Sequence, residues 1–359
     1  MILTNLRSVI YVMLNWSILF MAFGCSSTKP FLDAAGNKIV HSIASMEKIE
    51  LGGVKQALLI RGSNKNNPIL LFIHGGPGTP YDGWAYMFQA KLEERFMVVH
   101  WDQRGSGKSY NWSTPKKSIT IEQTLKDAHE LMVYLTKRFD KQKLYLVGHS
   151  WGSFLGMYLV KRHPELIHAY IGAAQGVDLL EQEKLSHQFV LEEARKRGDK
   201  KTLRRLEKVG EPPYENLYKG FAAKYQALTH YGGFIYGETT QLKLFKSILK
   251  SKEYNFFRFI QYGLGLFYHY KNLLKNEGER TWELSPITYA NKVEVPVYFI
   301  QGRYDGVASG QLLDKYYETL DAPHKELIIL QNSGHFLFLK EPDAFCEAII
   351  KVLDETLLK

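Results

Sequence analysis

The pentapeptide Gly148-His149-Ser150-Trp151-Gly152 lies between a short apolar run, Lys143 to Val147, and a longer run with helical spacing, Trp151 to Arg162. A strand that turns directly into a helix forces the turning residue into strained backbone geometry and leaves no space for side chains two positions before and after it. Gly148 and Gly152 meet that requirement. Such a turn lifts a serine hydroxyl to the carboxyl edge of a sheet, where open α/β sheets bind ligands. A serine at a helix start also serves as an N-cap, so its partners decide its role.

From about residue 40 the chain repeats strand, loop, helix, the pattern of a mostly parallel sheet covered on both faces. Pro68 to Ile73 reads as a buried strand opening into His74-Gly75-Gly76-Pro77-Gly78, and Phe96 to His100 as a strand leading into Asp102-Gln103-Arg104-Gly105-Ser106-Gly107. Leu125 to Phe139 carries apolar residues at helical spacing, and Ala169 to Ala173 is the next strand. After a long interval come a strand at Val295 to Gln301, a helix at Gln311 to Leu320, a strand at Leu327 to Leu330 and a closing helix at Asp343 to Leu358. The interval itself, Val177 to Ser285, shows polar and aromatic helical stretches and no buried strand. The expectation is an α/β fold whose core occupies residues 40–176 and 286–359, with a helical lid inserted at 177–285.

Serine is a weak nucleophile at neutral pH and needs a base to take its proton and an acid to orient that base. Where a serine stands in this kind of turn, the partners follow in the order acid, then histidine. Asp305 follows the Val295 to Gln301 strand and His335 follows the Leu327 to Leu330 strand. Asp178 is the alternative acid. An oxyanion needs backbone N–H donors, expected from Trp151, next to the serine, and from Gly76, where a glycine lets backbone approach substrate closely. His74 reads as a structural, hydrogen-bonded histidine.

His74 to Gly78, Asp102 to Ser109 and Gly148 to Ser153 together resemble the proline iminopeptidase branch of the α/β hydrolases, over most of residues 40–175 and 290–340. The resemblance implies Ser150 as nucleophile, Asp305 as acid, His335 as base, and Gly76 with Trp151 as oxyanion donors, with Asp102 and Arg104 bracing their loop. It implies a short peptide with an amino-terminal proline or other small residue as substrate, and no metal or organic cofactor. Relatives hold the substrate amine with lid glutamates, one of them in a Trp-x-x-Trp-Glu motif, which this lid lacks; Glu181, Glu183 and Glu238 are the candidates. An esterase or amidase acting on small apolar acyl compounds is the second reading, suggested by Phe256, Phe257, Phe259, Tyr262, Phe267, Tyr268 and Tyr270. A non-catalytic binding protein on the same fold is the third.

The net charge of +9 is spread along the chain, and its densest run, Arg195 to Lys208, is broken by Asp199 and Glu207, as a solvated helix face would be, with contact to membrane phosphates the second reading. No nucleic-acid motif accompanies it, so a nucleic-acid partner is not expected. Two cysteines, Cys25 and Cys346, exclude a disulfide framework. Residues 1–24 read as an export signal: the apolar run Val9 to Phe23 is shorter than the roughly 20 residues a spanning helix needs. The sequence Ala22-Phe23-Gly24-Cys25, followed by the polar Ser26 to Lys29, resembles the lipobox of bacterial lipoproteins. That resemblance implies lipid on Cys25 and a place in the bacterial cell envelope, either membrane-anchored or periplasmic.

Overall fold

Eight strands form one sheet in the order β1-β2-β4-β3-β5-β6-β7-β8. They are β1 (Ile43–Leu51), β2 (Val54–Gly62), β3 (Ile69–Ile73), β4 (Met97–Trp101), β5 (Leu144–His149), β6 (Ile167–Ala173), β7 (Val297–Gly302) and β8 (Lys325–Leu330). The structure is a computed structural model describing residues 27–238 and 240–357. The segment read as an export signal, residues 1–24, and Cys25 lie outside the described residues.

Only β2 runs against its neighbours; the pairs from β4 through β8 are parallel. The chain passes from β3 outward to β4, then crosses back to β5 on the other side of β3. That reversal opens a crevice at the carboxyl ends of β3 and β5, the place where open α/β sheets bind ligands. In the β3–β5 register Ile73 lies beside Gly148, so the loop after β3 and the turn after β5 are neighbours.

The central strands are buried on both faces, which explains their continuous apolar runs. Alternate residues feed two cores: Ile69, Leu71 and Ile73 point to one with Phe154, Leu155 and Met157, while Leu70 and Phe72 point to the other with Phe345, Ile349 and Val352. The helix Trp151–Arg162 has the bounds read from sequence. The helix expected from Leu125 begins earlier, at Ile121, because Thr120 caps it through the N–H of Gln123.

The antiparallel hairpin β1–β2 was not foreseen as a pair of strands. Its turn, Gly52-Gly53, has positive φ at both residues (52° and 73°), which a two-residue hairpin turn needs and glycine supplies. Between β6 and β7 the described residues form no further strand of the sheet but helices and turns, chiefly Leu179–Lys196, Lys200–Val209, Leu217–His230, Leu242–Ser247 and Phe256–Glu277, with one isolated bridge at Lys292. The basic run ending the first of these and filling the second is largely solvated, with Lys196 and Arg197 both paired to Glu193.

Candidate active site

Ser150 stands at the junction of β5 and the Trp151–Arg162 helix with φ 54° and ψ −122°. Backbone in this region is costly for a residue with a side chain and persists only where the surroundings enforce it. A Cβ on Gly148 would come 2.6 Å from the Gly152 oxygen, and one on Gly152 would come 2.7 Å from the His74 oxygen, so both flanking glycines are sterically required. Ser150 occupies the N-cap position, yet its hydroxyl makes no capping bond. It lies 2.8 Å from His335 Nε2 instead.

His335 is buried, and its Nδ1 lies 2.9 Å from Asp305 Oδ2 and 3.1 Å from Oδ1. Asp305 Oδ1 also accepts the N–H groups of Val307 at 2.8 Å and Ala308 at 2.9 Å, which pin the carboxylate after β7. A carboxylate on Nδ1 selects the tautomer with its proton there and leaves Nε2 as an acceptor toward the serine hydroxyl. Ser150, Asp305 and His335, predicted from three separate loops, therefore meet in one hydrogen-bonded line. Asp178 does not join them; it caps the Leu179–Lys196 helix through the N–H of Glu181.

Gly76 and Trp151 both line the space around Ser150. The Trp151 N–H is in the first helical turn, where backbone donors lack an intrahelical acceptor. Gly76 has φ 118°, and a Cβ there would come 2.6 Å from the Gly78 nitrogen, so the loop can take this shape only with glycine. Two donors beside one hydroxyl form a site able to hold a developing oxyanion.

The support behind this line was not visible in sequence. Tyr81 accepts the Gly75 N–H at 2.8 Å and donates to His149 Nδ1, while His149 Nε2 donates to the His335 carbonyl at 2.8 Å. His149 thus ties the glycine loop to the histidine loop, and burial holds its imidazole well below its usual titration range, neutral. His74 is buried likewise: Nδ1 donates to the Gly75 carbonyl and Nε2 accepts the Gln103 N–H, with burial pushing it down to about 3. Arg104 pairs with buried Asp127 and donates to the carbonyls of Leu51 and Gly52. Asp102 accepts the Lys108 N–H at 2.6 Å.

Two chambers meet at Ser150. One, of about 350 Å³, is lined by His335, Phe336, Phe234, Phe245, Phe267 and Tyr270. The other, of about 30 Å³, is bordered by Trp151 and by Gln182, Glu183 and Thr281. Gln182 Oε1, Glu183 Oε2 and Thr281 Oγ1 are buried without a hydrogen-bond partner. Glu183 Oε1 accepts from Lys224, and both charges are fully buried; burial raises the carboxyl and lowers the ammonium. Of the three lid glutamates considered, only Glu183 borders the serine; Glu181 and Glu238 are exposed. Of the lid aromatics, Phe267 and Tyr270 line the larger chamber, Tyr262 is packed behind it, and Phe256 and Phe257 face solvent.

A family model described as alpha/beta hydrolase fold matches residues 68–342. The probable aminopeptidase YbaC of Bacillus subtilis is 34% identical over 310 residues, spanning 86% of this chain and 96% of that protein. The proline iminopeptidase of Saccharolobus solfataricus is 25% identical over 309 residues, spanning 82% of this chain and 87% of that protein. The crystal structure of proline iminopeptidase from Mycobacterium smegmatis has a TM-score of 0.61 at 16% identity, over 88% of this chain and 99% of that one, a likeness of fold. These matches bear out the resemblance drawn from the three motifs.

Proposed function

Because the chain belongs to the alpha/beta hydrolase family, we propose that it is a serine aminopeptidase acting through a Ser150 acyl-enzyme. The observation that carries this reading is the Ser150–His335–Asp305 line, with contacts of 2.8 and 2.9 Å. His335 Nε2 takes the hydroxyl proton as Ser150 Oγ attacks the acyl carbon, and Trp151 and Gly76 N–H groups receive the oxyanion. The same Nε2 then delivers that proton to the leaving amine. Water, deprotonated by His335, releases the acid and restores the serine.

The proton donor must face the leaving group, so the chamber lined by His335 takes the leaving side and the small chamber beside Trp151 takes the acyl side. An acyl side with three unpartnered oxygens suits a group rich in N–H donors, and an unblocked α-ammonium supplies three, or two where it is proline's. The names of the two relatives, an aminopeptidase and a proline iminopeptidase, support the same reading. The aromatic chamber favours a second reading, an esterase or amidase for apolar acyl compounds.

Initial rates on unblocked proline and alanine arylamides, their N-acetyl counterparts and short-chain aryl esters separate the two. Unblocked arylamides should be preferred over acetylated ones by about 30- to 150-fold, the worth of two to three hydrogen bonds of about 1 kcal/mol each. Activity confined to esters would overturn the aminopeptidase. Failure of a fluorophosphonate probe to label Ser150 would overturn the serine mechanism.

We also infer that the chain is exported and held in the bacterial envelope by lipid on Cys25, a reading supported by the run Ala22-Phe23-Gly24-Cys25 and its polar follower. Cys25→Ser should shift the protein from the detergent phase to the aqueous phase. Unchanged partition would refute lipidation.

A further inference from the structure

The lid helix Phe256–Glu277 turns one face to solvent, and that face is apolar: Phe256 is 56% exposed, Ile260 44%, Leu264 52% and Phe267 53%. Their spacing of four, four and three residues puts them in one stripe. Large apolar side chains exposed singly are ordinary, but a continuous stripe marks a surface that meets an apolar partner. Phe267 also lines the larger chamber at Ser150, so the stripe ends at the rim of that chamber.

The charge around the stripe says what kind of partner. Residues 241–271 contain Lys243, Lys246, Lys250, Lys252, Arg258 and Lys271 against a single carboxylate, Glu253. All five lysines are exposed, whereas Glu253 is buried. Exposed aromatics and leucine bordered by lysines are the composition of a surface that settles into the headgroup layer of an anionic bilayer.

The start of the described chain lies against this surface. The Ser27 N–H donates to the Lys252 carbonyl at 3.1 Å, four residues before the stripe begins. Arg61 holds the adjoining segment by donating to the Thr28 hydroxyl and to the Lys29 carbonyl, with its guanidinium over the Phe31 ring. Cys25 is two residues from Ser27, within about 7 Å even fully extended. The geometry points to the stripe as a docking face for anionic lipid, presented to the bilayer by the tether that leaves the body beside Lys252, with the chamber opening toward the membrane surface. This rests on the membrane tether proposed above and is independent of the Ser150 chemistry.

The test uses the chain with its native Cys25, whose amino group and thiol carry the proposed lipid, so that the lipid is the tether and Cys346, which is buried, stays unlabelled. A nitroxide is placed at Leu264→Cys or, as reference, at Gln142→Cys, which is exposed at the amino end of β5, on the far edge of the sheet. The protein is added to phosphatidylglycerol–phosphatidylethanolamine vesicles, and flotation reports the tether. The ratio of oxygen to nickel-chelate accessibility should be at least about 5-fold higher at 264 than at 142, reflecting partition of oxygen into lipid and exclusion of the charged chelate. A floating chain whose label at 264 meets the chelate as freely as at 142 overturns the docking face alone. A label shielded from both probes points to a second protein copy on the stripe and also overturns it. A chain that does not float overturns tether and docking together.

Discussion

Replacing Asp305 by asparagine tests the proposed chemistry with little disturbance to the fold. Oδ1 of Asp305 accepts two backbone N–H groups, from Val307 at 2.8 Å and Ala308 at 2.9 Å, so the asparagine oxygen must stay where Oδ1 is. Its amide nitrogen then takes the place of Oδ2, 2.9 Å from His335 Nδ1. A donor facing Nδ1 reverses the tautomer: the ring proton moves to Nε2, which lies 2.8 Å from Ser150 Oγ and can no longer accept its proton. Loss of the base in this way costs about 10⁴ in kcat/KM, or about 5 kcal/mol of barrier.

Folding should be nearly indifferent to the change. The one weak bond sacrificed is that from Gln301 Nε2 to Oδ2 at 3.4 Å, and the two backbone contacts survive. A Tm change of no more than about 3 °C is expected. The assay is kcat/KM on the best arylamide or ester of the substrate panel, with the melting curve taken on the same preparation. An Asp305→Asn protein that melts normally and keeps its rate within tenfold of the parent would refute the tautomer argument. Asp178→Asn is the control: asparagine caps a helix as well as aspartate does, so rate and stability should both hold.

Glu183→Gln combined with Lys224→Met removes both buried charges and leaves neither unpaired; kcat/KM should fall about 10- to 100-fold on unblocked arylamides and hold on N-acetyl esters, and equal losses on both would refute amine recognition. Tyr81→Phe strips a partner from the Gly75 N–H and from His149 Nδ1, so urea titration should show a loss of about 1–3 kcal/mol and rates a lower kcat at similar KM; an unchanged kcat would detach this relay from the oxyanion loop. Acid should destabilise the fold, because burial pushes His74, His100 and His269 down to about 3, 4 and 4, and His149 lower than usual, so the unfolded chain takes up protons that the folded one refuses. Stability is full above about pH 6.5 and lost as pH falls toward 4, by about 1.4 kcal/mol per unit for each histidine, partly offset by Asp102 and Glu183, whose carboxyls burial raises; urea midpoints unchanged between pH 7 and 5 would contradict this.

What sequence reveals here follows from which forces are local. Fully buried parallel strands such as β3 and β5 must be continuously apolar, and the turn at Ser150 needs glycine on both sides, so these elements were legible within a residue or two. In the hairpin β1–β2 the first strand is half-buried and lacks that apolar run, while β2 carries only a short one, Ala57 to Ile60; the signal that marks the pair is Gly52-Gly53 between them. The choice among the lid glutamates could not be read. Glu181 and Glu183 share one helix two residues apart, and it is rotation against the core that exposes the first and buries the second against Lys224, 41 residues away. The Tyr81–His149 contact joins positions 68 apart in the chain, with no local pattern to announce it.

The lid helix Phe256–Glu277 is bound to the glycine loop after β3 and to the loop after β4. His269 Nδ1 donates to the Arg104 carbonyl at 2.7 Å, and a Cβ on Gly78 would come 2.9 Å from the His269 side chain, so the glycine loop and this helix are in direct contact. Gln261 donates to the Tyr110 carbonyl at 2.9 Å, and Tyr254, just before the helix, donates to buried Asp82, which also pairs with Lys108. A helix fastened at these points is part of the support for Gly76 rather than a flap above it. Substitutions on its inner face should therefore change kcat along with substrate preference, whereas the chain between Leu217 and Ser247, which borders the aromatic chamber at Tyr218, Phe234, Gln241 and Phe245, is where a change of substrate should be possible without moving the proposed oxyanion donors.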